Sequence, residues 1–193
     1  MEDFNIKPKN PNQPAKGKLL IAEPFMQDPY FKRTVVLLCE HNHEGTFGFI
    51  LNRFIDFELS EILEGIPDFE TRVGLGGPVE SSNLYYLHTL GEELEGSIQI
   101  SGDIYLGGNF EQLRLKIVAN EIRQSEIRFF VGYSGWGNDQ LDSELKDESW
   151  YVTEINGLEF MNTAHEELWS QALINMGGEY ANLAHYPADP NLN

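Results

Sequence analysis

The segment Thr34–His41, TVVLLCEH, constrains the fold more than any other part of the chain. Its β-branched and aliphatic residues run without the polar alternation of a half-exposed strand, so it reads as a central strand buried on both faces. Asn42, His43, Glu44 and Gly45 separate it from a second apolar segment, Thr46–Asn52 (TFGFILN). A glycine-containing connection of that length predicts a hairpin between the two strands.

Lys18–Ala22 is a further short apolar run, closed by Glu23-Pro24. Asp56–Gly65 carries Leu59, Ile62 and Leu63 at helical spacing, with Gly65 where a C-cap belongs. Arg72–Leu75, Leu84–His88, Ser97–Leu106, Ile127–Tyr133 and Trp150–Ile155 read as strands, with Gly102 marking a bulge or bend. Asn109 is placed to cap a helix over Phe110–Arg123, and Asp139–Lys146 reads as a short helix. The clearest helix is Thr163–Met176: Thr163 and Glu166 form a capping-box pair, and Leu168, Trp169, Ala172, Leu173 and Met176 an apolar stripe that Gly177-Gly178 ends. Strands outnumber helices, and several neighbours are hairpin-like rather than alternating β-α-β. The expectation is one α+β domain over 17–193 with a mixed, mostly antiparallel sheet. Residues 1–16 hold Pro8, Pro11 and Pro14 among Asn, Lys and Gln, and read as a flexible tail.

Thirteen Lys and Arg against 31 Asp and Glu leave a formal net charge of −18 in a 193-residue chain. Phosphate neutralisation needs clustered cations, so this balance argues against direct nucleic-acid contact. No apolar run nears the ~18 residues of a membrane helix, and the start, MEDFNIKPKN, has no secretory h-region. Cys39, the only cysteine, excludes an internal disulfide and fits a cytoplasmic setting.

Several residue patterns carry possible chemistry. Cys39, His41 and His43 alternate, which on a regular strand sets all three on one face as zinc ligands, with Glu44 as a fourth. Against this, Cys39 ends an apolar run and packs as a small hydrophobe, and no second Cys/His cluster exists to complete a site. Gly132-Tyr133-Ser134-Gly135-Trp136 resembles a nucleophile elbow but has Trp at the fifth position; the plainer reading is a glycine-rich turn with Ser134 bonded locally. Asp142, His165 and His185 follow in hydrolase order, a cheap match in a chain this acidic. Neither Gly74-x-Gly76-Gly77-Pro78 nor Gly107-Gly108-Asn109 completes a phosphate-binding fingerprint. Arg53, ending a strand, could clamp an anion but more commonly pairs with a structural acid. Tryptophans are usually core residues; Trp136, flanked by Gly135 and Gly137, reads as an exception on a loop. Nine Asp or Glu stand between Asp139 and Glu167 with Lys146 the only Lys or Arg, either a solvated face or a dock for a basic protein.

Taken together, Gly17–Arg53, GGPV at Gly76–Val79, Leu87-His88, GYSGWGNDQLDSEL at Gly132–Leu145 with Trp150 after it, and LWSQALINMGG at Leu168–Gly178 resemble the YqgE/AlgH family. The resemblance implies a single α+β domain with a coiled, partly barrel-like sheet flanked by helices, in a bacterial cytoplasmic protein. No catalytic residues and no cofactor come with it; the label of transcriptional regulator does, without a DNA-binding motif. Ser134 departs from the alanine many members carry, and Phe54 replaces the proline of an Asn-Arg-Pro pattern. Positions carried over are Asn52, Arg53, Gly76, Gly77, Pro78, His88, Tyr133, Gly135, Trp136 and Gln140. The expectation is that the polar and aromatic ones converge on one patch that binds a protein or small ligand. The competing expectation is a hydrolase using Ser134 or a His41/His43 metal site.

Overall fold

The computed structural model describes residues 10, 12–66, 69, 71–154, 161 and 167–187. The strands are β1 Leu19–Ala22, β2 Val35–Asn42, β3 Gly45–Ile50, β4 Phe54–Glu58, β5 Arg72–Leu75, β6 Val79–His88, β7 Ile98–Ser101, β8 Ile104–Leu106, β9 Ile127–Trp136 and β10 Trp150–Thr153. The helices are α1 Leu59–Ile62, α2 Phe110–Val118, α3 Gln140–Lys146, α4 Leu168–Met176 and α5 Gly178–Leu183. All ten strands join one sheet in the order β10-β1-β2-β3-β9-β6-β8-β7, with β5 on β9 and β4 on β5. Every ladder is antiparallel except β5 with β9. The chain is thus a mixed α+β single domain, as its strand-rich pattern implied.

The TVVLLC run is central and buried: Val35 to Leu38 have no exposure and Cys39 only 3%. Its hairpin to β3 turns on His43 and Glu44, between the paired Asn42 and Gly45. The sheet is strongly curved. Its inner face carries Leu19, Ile21, Val35, Leu37, Cys39, Phe49, Leu87, Ile104 and Phe130, closed over by Leu168, Trp169, Ala172 and Leu173 of α4. On the outer face, α3 and Trp136 cover Leu20, Val36, Leu38, Ile50 and Val152, while α2 covers Val73, Tyr86, Ile127 and Phe129. The curl brings Gly17, just before β1, against Ser101 of β7: a Cβ on Gly17 would lie 2.8 Å from the Ser101 Cβ. Among the described residues no ladder joins β7 to β1, so the sheet is coiled but not closed.

β5 and β6 lie on opposite edges of β9 yet are joined by only Gly76, Gly77 and Pro78. The connection therefore passes over the β9 backbone. A Cβ on Gly77, at φ +154°, would stand 2.3 Å from the Tyr133 carbonyl, and one on Gly132, at φ +68°, 2.6 Å from the Gly77 oxygen. Glycine is required on both sides because the two backbones touch. Gly76 knits the crossing in: its N–H donates to the Val131 oxygen (2.9 Å), and its carbonyl accepts from the Ile50 N–H (2.9 Å) and the Ser134 hydroxyl (3.0 Å).

Several local expectations are corrected. Asp56–Glu58 is strand rather than helix, because β4 pairs with β5, and only one helical turn follows. Ser97–Leu106 is two strands, since Gly102 (φ +54°) sits at a hairpin turn. The helix capped by Asn109, whose side chain accepts from the Gln112 N–H at 3.1 Å, ends at Val118 and not at Arg123. Strand β9 runs on through the glycine-rich block to Trp136, because that stretch pairs with β3. The Thr163–Glu166 capping pair lies outside the described residues. In the segment 1–16, residues 1–9 and 11 lie outside the described residues; the Asn10 side chain donates to the Trp150 oxygen and accepts from the Val152 N–H, both at 2.7 Å. No helix among the described residues is long and apolar enough to cross a membrane.

The crossing yields a sharp contrast. Gly77→Ala should destabilise the protein by more than about 3 kcal/mol, because backbone must move on both sides. Gly137→Ala, with nothing within 4 Å of its Cβ position, should stay within about 0.5 kcal/mol of the parent. Urea unfolding of the two variants measures the difference.

Candidate functional site

A β-bulge sets up the site. The β2–β3 register slips between Leu38 and Glu40, so Cys39 and Glu40 both turn to the inner face. Glu40 then stands opposite Phe47, which stands opposite Gly135 across the next ladder. This row, with Tyr133 and Val79 paired beside it, forms the floor of a groove of about 660 Å³ at the end of the curved sheet. Tyr85 completes the aromatic floor: Tyr133 meets Phe47 edge-to-face at 6.0 Å and 77°, and Tyr85 at 5.9 Å and 85°. Such pairs fix ring positions. Gly135 leaves the floor open, because a Cβ there would sit 3.2 Å from the Tyr133 ring and 3.8 Å from Val79 Cγ2.

Carboxylates stand on both banks. Glu40 and Glu44 belong to the β2–β3 hairpin and Glu80 to β6. Residues 80–83 of β6 loop out opposite the single residue Gly132, because Val79 pairs with Tyr133 and Leu84 with Val131. Glu80 there adopts φ +48°, and its Oε2 accepts from the Tyr85 hydroxyl and from the Asn83 amide, both at 2.7 Å. These two hydrogen bonds, Tyr85's foremost, hold the Glu80 carboxyl below its ordinary pKa. None of the three carboxylates is in an ion pair among the described residues.

The sequence-derived positions do not form one patch. Tyr133, Gly135 and Trp136 border the groove. Trp136, however, is 4% exposed and in the core, not on a loop. Its ring stacks on Phe31 (5.8 Å) and meets Trp150 edge-on (5.9 Å). Glu144 Oε2 accepts both indole N–H groups, from Trp136 at 2.9 Å and from Trp150 at 2.7 Å, while Oε1 accepts from Gln140 at 3.0 Å. Gln140 and one of the late acids are therefore structural. Asn52 bridges backbone, donating to the Arg33 oxygen and accepting from the Val35 N–H, each at 2.9 Å. Arg53 donates to the Lys32 oxygen at 2.6 Å rather than pairing with an acid. Gly76 and Gly77 form the crossing, with Pro78 exposed beside it.

His88 is not part of the groove: it lies three residues beyond Tyr85 on β6, on the opposite face of the strand. It pairs with Ile127 at the start of β9, nine residues and roughly 30 Å of strand from Trp136. It is fully buried. Nε2 lies 2.8 Å from the Gly107 oxygen, which it serves as donor, and Nδ1 accepts from the Leu90 N–H at 3.2 Å. That arrangement needs the neutral ring, and burial is the main cause that lowers its pKa, with the Gly107 bond opposing.

The two competing chemistries lose their geometry. Ser134 has no exposure and donates to the Gly76 carbonyl from inside a strand. The same bulge that turns Cys39 inward leaves His41 opposite Thr46 and hence on the Trp136 face, with Nδ1 2.7 Å from the Thr46 hydroxyl. Burial pushes the Cys39 thiol up, away from the thiolate a metal needs. Among the described residues no cluster of three His, Cys, Asp or Glu could hold a metal ion. The groove residues Glu40, Phe47, Val79, Glu80 and Tyr85 had no sequence signal of their own. Only the alternation of Phe47 and Phe49 marks an aromatic face.

The AlgH-like family model matches residues 19–181. A UPF0301 protein of Cytophaga hutchinsonii is 44% identical over 180 residues, covering 93% of this chain and 99% of that one. A UPF0301 protein of Chlorobaculum tepidum is 39% identical over 177 residues, covering 92% and 95%. Among solved structures, the AlgH protein of Pseudomonas aeruginosa in solution matches with a TM-score of 0.72 at 27% identity, over 91% of this chain and 97% of that one. A crystal structure of a Corynebacterium diphtheriae protein matches with a TM-score of 0.75 at 20% identity, over 95% and 97%, which speaks for the fold alone.

The His88 geometry predicts acid sensitivity. Its folded pKa is lowered, so its contribution is complete above the unfolded value of about 6.5 and is lost as pH falls through the folded value. Thermal midpoints should drop on acidification below about pH 6.5, and His88→Gln should flatten that part of the profile while lowering the midpoint at neutral pH. An unchanged slope in the variant would assign the acid response elsewhere.

Proposed function

We propose that this chain, which belongs to the AlgH-like family, is a binding protein that acts in regulation through its groove and not by direct contact with DNA. The observation that carries the reading is the groove itself: fixed aromatic rings with an opening at Gly135, bordered by carboxylates with no ion-pair partner among the described residues. A volume of about 660 Å³ falls in the range of sites for small ligands and short segments. Within it stand carboxylates, phenols and an amide, groups that can hold a ligand by charge and hydrogen bonds. The charge of −18 opposes a phosphate backbone. Ser134 and the buried Cys39 are out of reach as nucleophiles.

Gly135→Val tests the reading. Gly135 is exposed in a strand and its φ lies outside the left-handed region, so a β-branched residue suits the backbone; its Cβ, 3.2 Å from the Tyr133 ring, needs that half-buried ring to move by a few tenths of an ångström, and its methyls fill the groove. Amide spectra recorded during titration with a set of small aromatic and peptide fragments should show shifts at Thr46, Phe47, Tyr133 and Gly135. Those shifts should vanish in the variant, with a thermal midpoint within about 4 °C of the parent. A short DNA duplex at physiological salt should leave the spectrum unchanged. Fragments that gather elsewhere, or duplex shifts that persist at that salt, would overturn the reading.

A further inference from the structure

The chemistry of the groove specifies its occupant, an inference that rests on the binding reading above. Its floor is apolar and long enough for a side chain to lie along it: Phe47, Val79, Tyr85 and Tyr133 are each half-buried and contiguous. Its banks are acidic on both sides, Glu40 and Glu44 on the hairpin, Glu80 on β6. Glu80 is more than a solvated charge. Both of its hydrogen bonds land on Oε2, which orients the carboxylate and leaves Oε1 without a hydrogen bond among the described residues. A small ammonium ion would meet one bank only. A segment carrying basic residues would meet both, laying an aliphatic stem on the rings and its charged head beside a carboxylate, as Lys and Arg side chains do on amphipathic surfaces.

We propose that the groove docks an extended segment of a partner protein, with a Lys or Arg side chain running over Tyr133 and Tyr85 to Glu80 and a second basic residue facing Glu40. The apolar stem explains the aromatic floor, and the basic head supplies the charge that the banks lack, since among the described residues no cation pairs with Glu40, Glu44 or Glu80.

The test uses the full chain and three eight-residue peptides with alternating valine: one with Lys, one with Gln and one with Glu at the other positions. Ethylammonium chloride is a fourth probe. The Lys peptide should shift the amides of Phe47, Glu80, Tyr85 and Gly135, and bind at least about tenfold more tightly than the Gln peptide. Glu80→Gln and Glu40→Gln keep shape and acceptor oxygens at exposed positions, and each should weaken the Lys peptide about threefold or more. The Glu peptide should not bind. Equal binding of Lys and Gln peptides at the groove would overturn this inference and leave the binding reading standing. Ethylammonium binding as tightly as the peptide would show a small amine as occupant and overturn it too. A Lys peptide that shifts only α3, with the acids Asp139, Asp142 and Asp147 near it, would show unspecific attraction and refute the groove as its dock. If the Lys peptide and the neutral fragments alike leave the groove amides unmoved, both readings fall together.

Discussion

Everything in this sheet is arranged around the place where one backbone lies on another. β9 is paired on both edges and carries three partners, and the chain between β5 and β6 must pass over it in three residues. Only a contact without side chains permits this, and Gly77 and Gly132 supply it. The consequences spread outward. Gly76, held by Val131 and holding Ile50 and Ser134, ties β3, β5 and β9 into one unit. The sheet on either side of that unit turns inward, and its concave face becomes the core that α4 fills. The crossing also fixes where β6 begins, and so where Val79 and the looped-out Glu80 stand at the edge of the groove.

The groove depends on a second, smaller irregularity. A regular β2 would alternate to its end and send Glu40 to the face of Val36 and Leu38. The extra residue at Leu38–Glu40 puts Glu40 on the same side as Cys39 instead, at the point where the core ends and the aromatic floor begins. Behind that floor, Glu144 holds Trp136 and Trp150 through one oxygen. Two buried indoles share a single acceptor, and the end of β9 is thereby pinned to α3 and β10. Groove and structural clamp lie back to back on the same few residues of one strand, Gly135 facing one way and Trp136 the other.

This explains what was legible in the sequence. The central strand, the hairpin, the Asn109 cap and the strand-rich α+β class follow from local signals, because burial on both faces, a glycine turn and a capping side chain are all written within a few residues. The block 132–145 is the most distinctive part of the chain, and it contributes Tyr133 and Gly135 to the groove while its Trp136 and Gln140 serve the core behind it. Its glycines look like a turn, yet Gly132 and Gly135 lie in a strand because β3 pairs with its end and because Gly132 lets the backbone of residues 76–78 pass over it, facts held outside the block itself. Its tryptophan looks exposed between glycines, yet its partners, Phe31, Glu144 and Trp150, come from separate elements. Arg53 and His88 each satisfy backbone carbonyls, so their polarity signals closure of the fold, not a ligand. The groove residues were silent because a bulge and a looped-out strand determine which way they point, and neither has a composition of its own.

A clasp of side chains covers the other end of the sheet. Among the described residues β10 is a terminal strand, and the outer edge of a terminal strand is an open row of amides and carbonyls on which a further strand can form. Here Asn10 offers its own amide to that row, filling one donor and one acceptor on either side of Tyr151, and Asn12 adds a bond to the Val152 oxygen. A side chain has thus taken the place of a strand, but unlike a strand it exposes no second ladder of its own. At this edge the sheet, open by topology, is terminated by chemistry: two carboxamides stand where a templated strand would pair.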